Sequence, residues 1–425
     1  MRAMKDSGLP WIRQIPQIWT ALRGKHVLSL LQRETDENEG VVTCFRNGEV
    51  TLRSNRREEG FTFADKEIGY QGIRKGDLVI HGMDGFAGAI GISDSNGKGS
   101  PVLCVCCSKN DNDTKYLMYY LRMLASQNVF IALATGIRER SCDLRWNKVA
   151  ELAFPIPPIA EQRKIAGFLD NESEKVDRII ARQKAAIEKL KEYKQSFITE
   201  AVTKGLDPNV PMKDSGIEWI SKYPTHWCIS KIGRVASTCS GATPNRDKHD
   251  DYFDNADVKW VRTLDLNDWR VWETSEYITH QAISETNCSL MPTGTVMVAM
   301  YGGEGTIGKC GILMAEATTN QAVCSIICSS QVFPMYLLYT LLAIRKYWMK
   351  YAVGTRKDPN ISQEIVSSGK ICIPSFNEQM TITAYLEEKC QSVNEAISYK
   401  ESLIDRLETY KKSLIYEAVT GKLEV

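Results

Sequence analysis

Two stretches of the chain carry a helical pattern of apolar residues that is too long for an ordinary surface helix. In residues 160–204, apolar side chains recur at heptad positions a, d and e over four heptads. The segment follows Pro157-Pro158 and stops at Gly205, which are normal helix boundaries. At about 1.5 Å per residue, this pattern predicts a helix roughly 65 Å long. The stripe comprises Leu169, Val176, Leu190 and Phe197 at a, Ile179, Ala186 and Tyr193 at d, and Ile180, Ile187 and Ala201 at e.

The same pattern occurs again 217 residues further along, without a gap. Glu161-Gln162 recurs as Glu378-Gln379, and residues 200–203 recur as residues 417–420. Each apolar stripe needs a partner, so we predict that the two helices pair as a coiled coil. The alternative, two unrelated helices on separate cores, requires an ungapped repeat to arise by accident. The second stripe comprises Leu386, Val393, Leu407 and Leu414 at a, Ala396, Leu403 and Tyr410 at d, and Ile397 and Ile404 at e.

The segments that precede the two helices are also related. Residues 4–8 (MKDSG) recur as residues 212–216, and Trp11, Pro16 and Trp19 recur as Trp219, Pro224 and Trp227. The chain is therefore a tandem duplication of a globular part followed by a helix. Because the second helix must run back along the first, we predict an antiparallel coiled coil that brings residues near 425 close to residues near 4.

Each globular part mixes short strands and turns with a helix, predicted over Tyr116–Ala125 and Met335–Tyr347. The predicted fold class is α+β, with two mixed α/β domains separated by two long helices in a pseudo-two-fold tandem repeat. We place the domains at residues 1–157 and 207–374, and the long helices at residues 158–206 and 375–425.

Composition narrows the class of protein. The chain has 425 residues, of which 43% are hydrophobic, so it can bury the cores of two or three domains. Its net charge of +1 shows no overall basicity, so any contact with nucleic acid must come from local patches. The scattered cysteines and the absence of a signal peptide predict a cytoplasmic protein with reduced thiols. The longest apolar run, Val332–Ile344, is too short to span a bilayer.

The sequence contains few candidates for catalytic chemistry. Gly303–Lys309 is one residue short of a phosphate-binding loop, because Cys310 stands where the pattern needs Ser or Thr. A glycine-rich hairpin is the better interpretation of this stretch. Cys104 and Cys107 lack a second pair of ligands at zinc spacing, so no metal site is predicted. The histidines and carboxylates form no recognisable catalytic spacing.

The duplicated frame resembles the specificity subunit of a type I DNA restriction–modification system. The residues that carry the resemblance are the KDSG…WI…P…W starts, the PIPPIAEQRKIA and IPSFNEQ segments before the long helices, and the EAVT ends. Ser375-Phe376 departs from the Pro-hydrophobic pair of the first copy. The resemblance implies a phage-defence protein whose two target-recognition domains each read one half of a split DNA site, on a coiled coil that docks two methyltransferase subunits. It also implies that translocase–nuclease subunits join for restriction and that this chain is not an enzyme. The cofactors would then sit on partners: S-adenosylmethionine on the methyltransferase, ATP and Mg on the translocase.

The polar loops of the two globular parts have diverged, which is typical of two readers with different targets on one scaffold. We predict DNA contacts from basic and amide side chains in these loops, because such groups bind base edges and phosphates. In the first part the candidates are Arg46, Asn47, Arg53, Asn55, Arg56, Arg57, Arg138 and Arg140. In the second they are Asn245, Arg246, Lys248, Arg262, Tyr301, Lys309, Arg356 and Lys357.

Two other functions remain open at this point. One is a nucleotide-dependent enzyme that uses the Gly303–Lys309 loop. The other is a scaffold whose coiled coil and globular parts bind proteins and not DNA.

Overall fold

The computed structural model describes residues 2–36, 38–56, 68–134, 144–302, 305–352 and 359–425. The chain divides into two compact units. Unit 1 comprises Met1–Lys184 and Glu401–Val425, and unit 2 comprises Ala185–Lys400. Each unit therefore holds one globular part together with pieces of both long helices. Within the described residues, no helix combines the length and apolarity that crossing a membrane requires.

Two of the helices are far longer than the others and match the predicted stripes. The first begins one residue before the predicted segment and ends at the predicted Lys204. The helices of the described residues are α1 (Gly24–Val27), α2 (Thr114–Ser126), α3 (Val129–Ala132), α4 (Trp146–Val149), α5 (Ile159–Lys204), α6 (Ile232–Val235), α7 (His249–Tyr252), α8 (His280–Glu285), α9 (Pro334–Tyr351), α10 (Gln363–Ser368) and α11 (Phe376–Val419).

The strands of the described residues are short and are divided equally between the units. Those of unit 1 are β1 (Met4–Leu9), β2 (Ile12–Pro16), β3 (Thr20–Arg23), β4 (Leu28–Leu30), β5 (Val42–Cys44), β6 (Val50–Leu52), β7 (Gln71–Ile73), β8 (Leu78–His81), β9 (Ile90–Ile92), β10 (Gly97–Gly99), β11 (Leu103–Ser108) and β12 (Ala153–Ile156). Those of unit 2 are β13 (Met212–Asp214), β14 (Lys222–Pro224), β15 (Cys228–Lys231), β16 (Ala236–Ser240), β17 (Val258–Val261), β18 (Arg270–Val271), β19 (Glu276–Ile278), β20 (Val296–Ala299), β21 (Cys310–Leu313), β22 (Thr318–Thr319), β23 (Val323–Cys328) and β24 (Lys370–Ile373).

The centre of unit 1 is an antiparallel sheet in the order β4-β11-β8-β9, with α2 packed against it. Asp113 caps α2 by accepting a hydrogen bond from the backbone N–H of Tyr116 at 2.9 Å. The predicted apolar face of this helix is confirmed, since Tyr116, Tyr120 and Met123 are all buried in the core. A hairpin of β5 and β6 covers the other face of the sheet through a second apolar cluster.

Unit 2 repeats this frame and adds to it. Its main sheet has the order β16-β23-β20-β21-β18, and α9 packs on it as α2 does in unit 1. Strands β4, β8, β9 and β11 therefore correspond to β16, β20, β21 and β23. A smaller sheet of β19-β17-β22 has its own core around Trp260 and Ile278; we call it the three-stranded lobe. The predicted tandem duplication and the α+β class are confirmed.

Within each unit, α5 and α11 run antiparallel. In unit 2, Lys194 donates to the Asn394 side chain at 2.8 Å, while Gly205, just past the end of α5, lies near Glu378 at the start of α11. In unit 1, Lys411 binds the Asp177 carboxylate at 2.7 Å, and Leu414 shares a core with Leu169. The predicted antiparallel pairing is confirmed in both units.

The repeated Glu-Gln pair at the start of each long helix ties that helix to its globular part. The buried Gln379 amide accepts from the N–H of Phe333 at 2.8 Å and donates to the carbonyls of Gln331 at 2.9 Å and Pro374 at 3.0 Å. Gln162 makes the matching bonds in unit 1, to the N–H of Asp113, the Asn112 side chain and the carbonyl of Pro157.

The neighbouring glutamates in this pair bind the repeated tryptophans. Trp19 donates its indole N–H to Glu161 at 3.1 Å, and Trp227 donates its own to Glu378 at 2.9 Å. These contacts explain why the sequence keeps both motifs in both copies.

The seam of the coiled coil departs from the prediction at heptad position d. Positions a and e carry most of the buried residues, for example Val176 and Ile180, whereas Ile179, Tyr193 and Tyr410 at d are 40%, 50% and 51% exposed. The prediction that d lies in the seam is wrong for these three residues. The globular part of each unit packs on the helix ends and adds apolar partners beside the seam, as Phe197 and Val202 show in the core with α9.

The last residues of α11 lie in the core of unit 1, beside its first strands. The Val419 carbonyl accepts from the Tyr116 hydroxyl at 3.3 Å, and Gly421 lies against Pro16 and Trp19. Pro16 is the strand partner of Met4, so residues near 421 and near 4 adjoin the same side chain, as predicted.

This proximity predicts that a circular permutant keeps the fold. We expect a chain with Val425 linked to Met4 and opened between Asp207 and Pro211, an exposed turn, to change the free energy of unfolding by no more than about 1 kcal/mol. Chemical denaturation followed by circular dichroism measures this change. A permutant with the same linker but opened between Val105 and Cys106, inside a buried strand, should fail to fold. If the permutant opened between Asp207 and Pro211 were unfolded, that result would contradict the proximity of the segments near residues 4 and 421.

Candidate nucleic-acid interface

In unit 1, four of the predicted side chains gather on the β5–β6 hairpin. Its tight turn is closed by backbone bonds of 2.8 Å between Phe45 and Glu49 and between Gly48 and Phe45, and Gly48 has a φ of 87° that favours glycine. The turn leaves Arg46 and Asn47 exposed at its tip. We call the exposed residues Arg46, Asn47, Asn55 and Arg56 the hairpin cluster.

The side chains of the hairpin cluster are positioned by neighbouring groups. Arg56 stacks on the Phe45 ring, with 4.0 Å between the guanidinium carbon and the ring centroid. Arg46 pairs with Asp84 at 2.8 Å. Asn55 donates to the Thr51 hydroxyl at 2.9 Å. Arg53, also predicted, is half-buried at the base of the hairpin, so its side chain is less available to a ligand than the other four.

Arg122 supports this hairpin and was not among the predicted residues. It lies on α2 and donates to the Asn47 carbonyl at 2.8 Å. Burial lowers the pKa of its guanidinium, while the carboxylate of Asp177 acts in the opposite direction. A single arginine within the apolar run 116–125 is the sequence signal that could have identified it.

In unit 2, four predicted side chains gather on the three-stranded lobe. Asn245 caps a 3-10 turn over Arg246–Lys248, and Arg262 follows β17 directly. The guanidinium of Arg246 lies 5.0 Å from the Phe253 ring centroid. We call Asn245, Arg246, Lys248 and Arg262 the lobe cluster.

Carboxylates of the lobe hold the cations of this cluster. Arg246 and Arg262 both bind Glu276, at 2.6 and 2.5 Å. Lys248 donates to the Tyr252 hydroxyl, a contact that raises the pKa of Lys248. Glu276 was not predicted, because no spacing rule distinguishes it from the other surface carboxylates of this stretch.

The remaining predicted side chains lie apart from the two clusters or outside the described residues. Tyr301 follows β20 and is half-buried, and burial raises the pKa of its hydroxyl. Lys309 lies in the turn before β21. No described contact joins either residue to the lobe cluster. Arg57, Arg138, Arg140, Arg356 and Lys357 lie outside the described residues.

The stretch Gly303–Lys309, of which Gly303 and Glu304 lie outside the described residues, is not followed by the helix of a nucleotide-binding loop. It connects β20 to β21, which pair antiparallel, and Cys310 begins the second strand where a phosphate-binding loop would open a helix. No helix N-terminus follows the lysine. The described amides are bound elsewhere: Gly308 N–H donates to the Ala299 carbonyl at 2.9 Å, Lys309 N–H to the Thr306 carbonyl at 3.0 Å and Cys310 N–H to the Asp268 carboxylate at 3.1 Å. The interpretation of this stretch as a hairpin is therefore correct, and the nucleotide-dependent enzyme is the wrong alternative.

Among the described cysteines of unit 1, Cys44, Cys104 and Cys106 are buried thiols and Cys107 is partly buried. Cys104 and Cys106 lie in β11, where the contact with the Cys104 thiol, together with burial, raises the pKa of Cys106. Within the described ranges, the residues whose ligand atoms could meet on one ion are His249, Asp250 and Asp254, all solvent-exposed. Exposed acidic groups commonly occur together without a metal, and we assign them no such role.

Comparison with known proteins gives matches along most of the chain. Residues 48–189 and 224–400 match the family described as type I restriction modification DNA specificity domain. The type I restriction enzyme MjaVIII specificity subunit of Methanocaldococcus jannaschii is 25% identical over 321 residues, which are 74% of this chain and 71% of the relative.

Solved structures agree with this match. A chain from a study of complex assembly and conformational transition of the type I R-M system has a TM-score of 0.74 and 16% identity, over 96% of this chain and 99% of that chain. The HsdS subunit from Thermoanaerobacter tengcongensis has a TM-score of 0.52 and 16% identity, over 98% of this chain and 100% of that chain. At these sequence identities, the structural similarity shows that the fold is shared.

Proposed function

Since this chain belongs to the family of type I restriction–modification DNA specificity subunits, we propose that it reads a split DNA site with one half-site for each unit. As a member of this family it is the non-catalytic DNA-recognition component, and its partners are DNA and the methyltransferase and restriction subunits. A scaffold that binds only proteins is therefore the wrong alternative.

The observation that carries the proposal is one exposed group of basic and amide side chains per unit, on a repeated frame. The hairpin cluster and the lobe cluster differ in residues and local structure, although β8, β11 and α2 of unit 1 match β20, β23 and α9 of unit 2. Arginine forks and asparagine amides bind guanine and adenine edges in the major groove, and lysines bind phosphates. Two such surfaces on one frame suit two half-sites of different sequence.

The long helices offer the surface for the methyltransferase. Exposed apolar side chains on α5 and α11 include Ile179, Tyr193, Tyr399 and Tyr410, and an aromatic ring at an exposed position is typical of a protein interface. We propose that two methyltransferase subunits dock here and that a translocase–nuclease subunit joins for restriction. S-adenosylmethionine then sits on the methyltransferase, and ATP with Mg on the translocase, in a cytoplasmic complex.

Mapping of methylated bases tests the proposal. The chain is co-produced with the methyltransferase subunit of its own system in a host that lacks both, and methylated bases are mapped across the genome. We expect one bipartite motif that disappears when the chain is omitted. The double variant Arg46→Ala/Asn47→Ala should relax or abolish recognition at one half-site. The single variant Arg246→Ala should do so at the other half-site.

The matched control is Arg13→Ala, since Arg13 is an exposed arginine of unit 1 on β2, outside the hairpin cluster. It should leave the motif unchanged. Methylation that is independent of the chain, or variants of both clusters that alter the same half-site, would refute the division of recognition between the units.

A further inference from the structure

Two arginines of the lobe cluster share one carboxylate. A terminal nitrogen of Arg246 lies 2.6 Å from one Glu276 oxygen, and a terminal nitrogen of Arg262 lies 2.5 Å from the other. The three side chains are 52%, 26% and 29% exposed, so the group is at the surface and a ligand can reach it. Two positive charges and one negative charge leave the group with an excess of +1.

The arrangement matches what a DNA phosphate would require. A phosphodiester presents one negative charge over two unesterified oxygens, as the Glu276 carboxylate does, and arginine forks bind both groups in the same way. Other contacts also position both arginines: Arg246 stacks near the Phe253 ring, and Arg262 donates to the Ser275 hydroxyl at 2.8 Å. The guanidiniums therefore have support that does not depend on the glutamate.

We propose that Glu276 is a specificity-determining residue that occupies Arg246 and Arg262 in the DNA-free chain and releases them only at the matching half-site. The inference rests on the proposed DNA-reading function of unit 2. A phosphate that approaches the arginines must displace the glutamate or lie beside a like charge. At the matching half-site the displaced Glu276 carboxylate accepts a hydrogen bond from a donor group of the recognised bases, such as a cytosine amino group, whereas a non-matching sequence offers it no such donor. Glu276 thus lowers affinity for non-specific DNA more than for the recognised site.

Glu276→Gln tests this role, because glutamine keeps the shape and removes the charge. The complex of the chain with its methyltransferase subunits is measured against a duplex that carries the mapped site and one whose second half-site is scrambled. We expect affinity for the scrambled duplex to rise roughly three- to tenfold, as suits the release of two part-exposed ion pairs. Affinity for the true site should rise less, so the ratio between the two falls.

Salt dependence gives a second measurement. Each new phosphate contact steepens the slope of log affinity against log salt by about 0.9, so the slope on the scrambled duplex should steepen by about 1 to 2.

Glu273→Gln is the matched control. Glu273 is an exposed carboxylate of the same lobe whose ion pair, among the described residues, is with Lys259. The Glu273→Gln substitution removes the same charge, and we expect the ratio of affinities for the true and scrambled duplexes to stay unchanged. If the Glu276→Gln and Glu273→Gln variants raise affinity for the scrambled duplex equally, the effect is one of net charge and the proposal is overturned.

A double variant separates the proposed role from loss of structure. In Arg246→Gln, one of the two arginines is absent, so adding Glu276→Gln should give a smaller rise in non-specific affinity than Glu276→Gln alone. An equal rise in both backgrounds, or a fall in affinity with Glu276→Gln, overturns the proposal. If the unaltered complex does not distinguish the two duplexes, the proposed function of unit 2 fails instead.

Discussion

A chain that ends after Ser413 should lose the fold of unit 1 while unit 2 remains folded. The deletion removes Leu414, Ala418 and Val419 from the core of unit 1, together with the carbonyl that accepts from Tyr116. Loss of one buried leucine side chain alone costs about 2–5 kcal/mol, so the whole deletion should exceed about 5 kcal/mol, which is comparable to the total stability of a domain.

Hydrogen exchange read by mass spectrometry measures this effect in each unit separately. Amides of β8 and β11 in unit 1 should lose protection, and amides of β20 and β23 in unit 2 should keep it. Removal of only Glu424 and Val425, which are exposed, serves as the control and should change neither. Protection of β8 and β11 in the longer deletion would mean that α11 is dispensable for unit 1.

Replacement of Gln379 by alanine should destabilise unit 2 by about 3 kcal/mol. The substitution leaves one backbone N–H and two carbonyls without the side chain that satisfied them. The bond to the Pro374 carbonyl is buried and the other two are partly buried, and a buried group left without its partner costs about 1–3 kcal/mol. Gln162→Ala should have an effect of the same size in unit 1. Chemical denaturation with a fluorescence signal from Trp227 or Trp19 reports on each unit.

The control is Gln391→Ala on the same helix, since Gln391 is exposed and bonds only Glu395 among its described contacts. We expect a change below about 0.5 kcal/mol. A loss of similar size in both variants would mean that helix propensity, and not the buried amide, sets the cost.

The Gln379→Glu variant adds a pH dependence with a defined sign. A carboxylate there faces two carbonyl acceptors in a buried site, so its pKa in the folded state should rise above that of the unfolded chain. The variant is then most stable below the unfolded pKa and loses stability as pH rises through the folded pKa. Denaturation at pH 5 and pH 8 should give the larger destabilisation at pH 8.

The periodic pattern of the long helices predicted their positions well and their contacts less well. A repeat of apolar residues determines that α5 begins near Ile159 and ends near Lys204, because only a helix puts those side chains on one face. The same pattern does not say what each residue touches. Phe197 and Val202 serve the globular part of unit 2 as well as α11, and this shared packing leaves Tyr193 exposed.

The candidate site shows a similar limit. Divergent basic loops identified Arg46 and Asn47, and also Arg246 and Arg262, as separate groups, and the fold gathers each pair on one surface. The register of β17 against β19, in which Trp260 pairs with Glu276, determines which carboxylate faces Arg246 and Arg262. Strand register is a long-range property, so local sequence could not indicate Glu276.

The composition of unit 1 also sets the order in which the chain can fold as it leaves the ribosome. Residues 185–400 emerge before residues 401–425, so unit 2 has every part of its core while unit 1 still lacks Leu414 and Val419. The globular part translated first is thus completed last, and its apolar surface stays uncovered for the time needed to translate the intervening 216 residues. Nascent chains that stop early carry a finished unit 2 beside an open unit 1, which makes them targets for chaperones and proteases before they can occupy DNA.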